Sequence, residues 1–475
     1  MKKLIILFIL SLTLIPNLYL QATIRNVPGS YSTIQSAINA ANNGDTILVD
    51  PGVYFENVNF RGKGIILASK YIIYHDTSYI SNTVINGSTP AYNDSASCII
   101  MTKPNISYAS DSSAAVLGFT LTGGRGLLWN DTYFPGYFYR EGGGIFIQYW
   151  SPRIKYNRIL SNSIKDSIHP DGGGGGIRCC DGNPVIENNV IQYNFGYCGM
   201  GISFYHASGI IRNNIIAGNY GGTVWGSGAI YTYMNYQSKP ILIENNSIIN
   251  NPATSGCGGL RLYNVNNTTV KNNIVWGNLP AQFSISNCNN LSIIYCDVQG
   301  GYSGTGNINL NPQFVTNTYY LSPASPCVDA GDTSVSCRDP ENPSNPGYAL
   351  WPALGTVRND MGAFGGPHCS LIGTTVIGVK NIGRNSIIKE YSLFQNYPNP
   401  FNPVTRIHFS IPKQGRATLK IYDILGRKIA TLVNEKLNPG EYEVDFNGEN
   451  LPSGIYFCRL ETTDYTGVKR MALVK

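Results

Sequence analysis

The chain has 475 residues, 43% of them hydrophobic and only 13% charged, with 52 glycines and visibly many asparagines. That length exceeds one small domain, and the abundance of aromatic and β-branched residues excludes a disordered chain. The net charge of +6 comes mostly from the ends: Lys2 and Lys3 carry two positive charges, residues 391–475 hold 11 Lys/Arg against 8 Asp/Glu, and the middle holds 21 against 20. The body therefore has no basic footprint for nucleic acid.

Lys2-Lys3 followed by apolar Leu4 to Ile15 and Leu20-Gln21-Ala22 predicts a signal peptide over residues 1–22. The apolar run is too short for a membrane span, no other stretch is apolar enough for one, and no integral membrane segment is expected after cleavage. Export permits disulfides, but eleven cysteines leave at least one thiol over. Cys327 and Cys337 are placed to close a short loop, and several others read as small buried residues. No C-x-x-C pair suggests a zinc site.

Ser32 to Asn42 predicts a short amphipathic helix with Ile34, Ala37, Ile38 and Ala41 on one face, placed to cap the N-terminal opening of a core. The segments Thr46–Asp50, Gly52–Val58 and Gly64–Leu67 read as the first strands. From about residue 140 to 300 one pattern recurs: Ile154, Asn157, Ile159, Asn162; Ile186, Asn189, Ile191, Asn194; Ile211, Asn214, Ile216, Asn219; Ile243, Asn246, Ile248, Asn251; Val270, Asn273, Val275, Asn278. A degraded copy holds Ile293, Cys296, Val298 and Gly301. A Gly-Ile-like pair precedes most copies: Gly144-Ile145, Gly176-Ile177, Gly201-Ile202, Ala229-Ile230 and Gly259-Leu260. Steps of 32, 25, 32, 27 and 23 residues are too short for a strand–helix–strand crossover. One coil cannot bury its inward face, so coils must stack, with the Ile columns inside. Asn at a repeated turn can take the left-handed conformation and hydrogen-bond its counterparts in neighbouring coils.

This pattern resembles the parallel β-helix repeat shared by pectin lyase-like proteins, which implies an all-β fold, a right-handed parallel β-helix over 23–369. Asn311-Pro312-Gln313-Phe314, Ser325 to Gly331 and Asp360 to Phe364 resemble the closing segment of bacterial β-helix proteins. Residues 370–390 read as a linker. Tyr397 to Thr405, Ile421 to Ile429, Leu451 to Phe457 and Lys469 to Lys475 then alternate strands with Gly/Pro turns, predicting a small β-sandwich over 391–475. These ordered motifs look like the type A sorting domain of the type IX secretion system. The resemblance implies Sec export, passage through the outer membrane, and the type IX machinery as a partner.

Strand alternation sorts the polar residues of the body. Beside the inward Ile column lie Lys155, Glu187, Arg212, Glu244 and Lys271, alternating in sign coil by coil. This predicts a structural ion-pair ladder and removes both Glu from the candidate acids. The Gly-Ile strand shows two outward columns: Phe146, Arg178, Ser203, Tyr231, Arg261, and Gln148, Cys180, Tyr205, Tyr233, Tyr263. Three tyrosines in line beside Tyr231, with Arg nearby, predict a flat strip suited to sugar rings, Arg261 serving carboxylate or sulfate groups. The loop between Asn162 and Asp181 supplies the candidate catalytic residues Lys165, His169, Asp171 and Arg178. His169 near carboxylates suits a general base, and Lys or Arg suits proton abstraction beside a uronate. Asp166, Asp171 and Asp181 are the candidate ligands for Ca2+; no cofactor is otherwise implied. His206, Trp225 and the loop from Trp129 to Glu141 are placed to border the same groove.

The start of the chain, Thr33 to Ile38 through Glu56, resembles pectin methylesterases in scaffold residues only; that family's later motifs are missing. The ordered motifs of polygalacturonases and the Asp cluster of pectate lyases are missing as well. A protein binding extracellular polysaccharide is therefore the favoured reading, ahead of a polysaccharide lyase or glycoside hydrolase and of an adhesive or structural surface protein.

Overall fold

In a computed structural model of the chain, residues 22–223, 227–315, 318–371, 380–381, 390–401, 404–437, 439–448 and 451–474 are described. The expected leader, Trp225 and most of the expected linker lie outside them. The inward Ile, Val and Leu of each coil build three long parallel sheets. The first runs from Ile24–Val27 through Arg153–Lys155, Val185–Glu187, Gly209–Arg212 and Ile241–Glu244 to Asn289–Ile294. The second runs from Gly52–Tyr54 through Arg158–Leu160, Val190–Gln192 and Ile215–Ala217 to Asp297–Val298. The third runs from Val58–Asn59 through Ile145–Gln148, Ile177–Cys180, Ile202–Tyr205, Ile230–Tyr233 and Leu260–Tyr263 to Phe283–Ser286. Each coil between the two ends contributes one strand to each sheet, and the repeat sets the register: Ile154 pairs with Ile186, Ile186 with Ile211, Ile211 with Ile243. This is a parallel β-helix. Its inward columns merge into one continuous core that includes Ile154, Ile186, Ile159, Ile191, Ile177 and Ile202.

The N-terminal opening is capped by a helix over Ile34–Ala40, shorter at both ends than the apolar pattern predicts. Thr33 caps it, accepting from the Ser36 amide at 3.0 Å, and both Glu56 oxygens accept from the first-turn amides of Ile34 and Gln35 at 2.9 Å. A carboxylate at a helix start satisfies donors that the helix itself cannot.

Two asparagine columns tie the coils. Asn157, Asn189, Asn214, Asn246 and Asn273 form one; the side-chain amide of each donates to the carbonyl oxygen of the next at 3.0–3.1 Å. Asn162, Asn194, Asn219, Asn251 and Asn278 form the other, at 2.8–3.0 Å. The hydrogen-bonded stack is as expected, but the left-handed turn is not at these residues. Positive φ falls one position earlier, at Tyr156, Asn188, Asn213, Asn245 and Asn272. Turning there aims the next side chain inward, where its amide also satisfies backbone carbonyls such as Ile186 O.

The ion-pair ladder forms outside the first sheet. Lys155 Nζ lies 3.0 Å from Glu187, Arg212 Nε 2.8 Å from Glu187 and Nη1 3.8 Å from Glu244, and Lys271 Nζ 3.5 Å from Glu244. The cysteines are all free. The expected Cys327–Cys337 bridge does not form, because the two thiols point to different partners: Cys327 donates to Asp297 at 3.1 Å, and Cys337 sits 3.1 Å from Lys271 Nζ.

The closing segment does more than end the stack. Tyr319, Ala363 and Phe364 pack on Val190, Ile215, Ala217 and Ile249, the outward residues of the second sheet. The left-handed Asn213 and Asn245 bind its backbone at Ala363, Gly365 and Asp360. The strands Val190–Gln192, Ile215–Ala217 and Ser247–Ile249 of the second sheet are thereby buried on both faces.

The C-terminal unit has two four-stranded antiparallel sheets, one including Val404–Ile411 and Gly440–Asn447, the other Gly415–Asp423, Lys428–Leu437, Gly454–Glu461 and Thr466–Leu473. Phe409, Leu419, Ile421, Val444 and Leu460 fill its core.

Replacing Asn214 by Ala strands the buried backbone N–H of Asn189 and removes the side-chain donor to Ile186 O. The expected loss is roughly 2–4 kcal/mol, from about 1–3 kcal/mol per orphaned buried group. Urea unfolding of the variant checks this; an unchanged midpoint would remove the ladder from the stabilising interactions.

Candidate functional site

The outer face of the third sheet carries the columns expected from alternation. Phe146, Arg178, Ser203, Tyr231 and Arg261 pair in register, as do Gln148, Cys180, Tyr205, Tyr233 and Tyr263. The strip is not flat, however. Tyr205 and Tyr233 stack with ring centroids 5.4 Å apart, and Tyr233 and Tyr263 at 5.5 Å. Coil stacking brings successive rings face to face, so they cover one another and present edges and hydroxyls. Tyr231 lies beside them and is buried. Arg261 donates to Ser284 at 3.1 Å and sits 5.9 Å from the Tyr263 ring.

A hairpin overhangs this face. Gly126–Asn130 and Phe138–Glu141 pair antiparallel, with Pro135-Gly136 in the turn between them. Trp129 packs at its base against Phe146 and Tyr205. The tip is fastened to the strip. Asp131 accepts from the Tyr205 hydroxyl at 3.0 Å, the Tyr133 hydroxyl donates to Asp181, and the Tyr133 ring stacks on His206 at 3.6 Å. Phe134 and Tyr137 stay 54% and 63% exposed, so here aromatic surface does face solvent.

Between hairpin and sheet lies a cleft of about 340 Å3. Phe134 and Tyr139 of the hairpin line it, with Tyr205, Tyr231 and Tyr233 from the sheet. Its polar groups are Asp131, Glu141, Asp171 and Arg178. Arg178 is buried, its Nε 2.6 Å from Glu141 Oε2 in an ion pair without the alignment of a hydrogen bond. Its Nη1 donates to Ser203 at 2.6 Å, and its guanidinium covers the Tyr205 ring at 4.6 Å. Burial pushes Glu141 up to about 7 against the pull of Arg178. Burial likewise raises Asp171, and lifts Asp181 to about 6.

Of the four candidate catalytic residues, the structure brings Asp171 and Arg178 to the cleft. Lys165 is exposed and does not line it. His169 also stays outside: its Nδ1 lies 3.2 Å from Asp166, whose carboxylate Arg140 holds at 2.9 Å and far below the usual range. The three expected calcium ligands do not converge: Asp166 is committed to Arg140, Asp181 to Tyr133, and of the three Asp171 alone lines the cleft. Among the described residues no group of three His, Cys, Asp or Glu is placed to hold a metal ion. Asp131 and Glu141 belong to the 129–141 loop expected to border the groove, but neither is among the candidate site residues. The signal was present: two short alternating runs around Pro-Gly spell a hairpin, and its two ends carry these carboxylates.

His206 is packed between Tyr133, Tyr205 and Tyr233. Burial lowers its pKa to about 4. A base depressed on folding adds stability that is present above the unfolded value of about 6.5 and lost as pH falls toward 4. An NMR titration of the His206 ring is expected to show a midpoint below 5, rising by about a unit or more in Tyr133→Ala, which uncovers the ring. A midpoint near 6.5 in the unaltered protein would mean that the hairpin tip does not sit on the strip.

Residues 395–474 match the family model described as a secretion system C-terminal sorting domain. Residues 24–226 match a family described as a protein of unknown function, DUF1565. No curated protein matches the chain. Among solved structures, the chain is similar to a mutant PL6 family alginate lyase, with 13% identity over 71% of this chain and a TM-score of 0.25; the match spans 57% of that protein. The chain is thus a parallel β-helix protein with a type IX secretion sorting domain, exported to the cell surface or extracellular space.

Proposed function

We propose that the protein binds extracellular polysaccharide in the cleft between the 126–141 hairpin and the third sheet. The observation that carries this reading is the cleft's lining: Phe134 and Tyr139 with three tyrosines of the sheet, and Asp171 among them. Sugars offer apolar C–H faces and rings of hydroxyls, so a site for them combines aromatic surface with fixed acceptors. Export to the cell exterior supports the same reading, because glycans are exposed there.

Cleavage of the glycan is a second reading, favoured by one observation. Glu141 lines the same cleft, and burial raises it to about 7, so that it can exchange a proton near neutral pH as a general acid must.

The test is retention of the secreted protein on immobilised neutral and acidic polysaccharides, with new chain ends measured over time. Retention is expected, weakened at least tenfold in Phe134→Ala combined with Tyr233→Ala, about 1.4 kcal/mol. New ends that vanish in Glu141→Gln while retention persists would make the protein an enzyme. Failure to bind anything across the panel would sink the proposal and leave an adhesive or structural role.

A further inference from the structure

Beside the tyrosine strip runs a larger open groove of about 610 Å3. It lies at the turns that follow the third sheet. His206, Met234, Asn264 and Asn287 come directly after Tyr205, Tyr233, Tyr263 and Ser286, so groove and strip share an edge. All four take a left-handed backbone, with φ of 50–56°. Asn tolerates that conformation, but His and Met occupy the same turn, so backbone geometry alone does not demand an amide.

The amides divide into two sets. Asn235 is structural: its Oδ1 accepts from the Asn266 backbone at 2.6 Å, and its Nδ2 donates to Asn266 O and Lys239 O. Asn289 donates to the Asn266 side chain at 3.0 Å, one coil away. The side chains of Asn264 and Asn287 make no hydrogen bond to the described residues, and they open to the groove one coil apart, about 4.8 Å by strand spacing. The lining holds no Asp, Glu, Lys or Arg. Lys239, at its margin, turns its ammonium to Ser110 at 2.9 Å. His206, the one ionisable group, is neutral at pH 7.

We propose that this groove is a second subsite for the same polysaccharide, taking uncharged sugar units of a chain that leaves the cleft and follows the coil stack. This rests on the binding reading above and names its ligand class. An amide both donates and accepts, as a sugar hydroxyl does, so a column of free amides satisfies a polyol without a charged partner. A polyuronate would bring one carboxylate per unit into a groove lacking any cation, and past Asp131 and Asp171 in the cleft.

The test is calorimetric titration of the full secreted chain with cello- and manno-oligosaccharides of two to eight units and with oligouronates of the same lengths. Affinity for a neutral series is expected to rise at least tenfold from the dimer to the hexamer. Asn264→Gly combined with Asn287→Gly, which keeps the left-handed turns, is expected to abolish that gain while leaving dimer binding unchanged. Phe134→Ala with Tyr233→Ala is expected to weaken every length. Undiminished hexamer binding in the glycine variant, no gain with length, or preference for oligouronates overturns the subsite while leaving the cleft intact. Failure of the unaltered protein to bind either series overturns both.

Discussion

Each coil of this solenoid has a polar problem at its sharpest turn. The chain must reverse direction beside an apolar core, and the peptide groups there have no strand partner. Asparagine solves it from within: one side chain accepts from the previous coil's backbone and amide, and donates to carbonyls on its own and the neighbouring coil. Ten such residues in two columns are fully buried without leaving their amides unpaired. A buried polar network is costly when half satisfied and specifying when complete. Here it sets the coil-to-coil register, and every outward column inherits that register.

The candidate site depends on this inheritance. The tyrosines line up because the asparagines do. The three sheets also divide the work. The first carries the alternating Lys, Glu and Arg ladder on its outer face. The second is covered by the closing segment. The third carries the tyrosine column on its outer face, and the 126–141 hairpin leans over it. The site's charges are mostly committed: Arg178 to Glu141, Asp181 to Tyr133, Asp166 to Arg140. What stays available is aromatic surface, tyrosine edges, Asp171 and amides.

The fold was legible because a solenoid repeats its own rule. Ile154 or Asn189 alone says little, but five aligned copies fix period, inward face and outward columns. The ladder of Lys155, Glu187, Arg212, Glu244 and Lys271 followed from alternation alone. What pattern could not give was the consequence of stacking. Tyrosines one coil apart cover each other's faces, so the strip offers edges rather than a platform. Nor could proximity in sequence say which loop charges converge. Asp171 and Arg178 reach the cleft, while His169 and Lys165, in the same loop, do not. Glu141 enters from a hairpin 37 residues before Arg178, a contact set by three dimensions. The shift of the left-handed turn from each ladder Asn to the residue before it also lies below the resolution of a repeat pattern.

The central claim is that the third sheet's outer face, with its hairpin and flanking turns, is where a glycan sits. Hydrogen–deuterium exchange of the secreted protein, with and without a saturating polysaccharide from the retained set, addresses it most directly. Slowed exchange is expected in the 131–141 hairpin and in the turns around His206, Asn235 and Asn264, with the ion-pair face of the first sheet unchanged. Protection centred on Lys155 to Lys271 of the first sheet, or confined to the C-terminal sandwich, would contradict it.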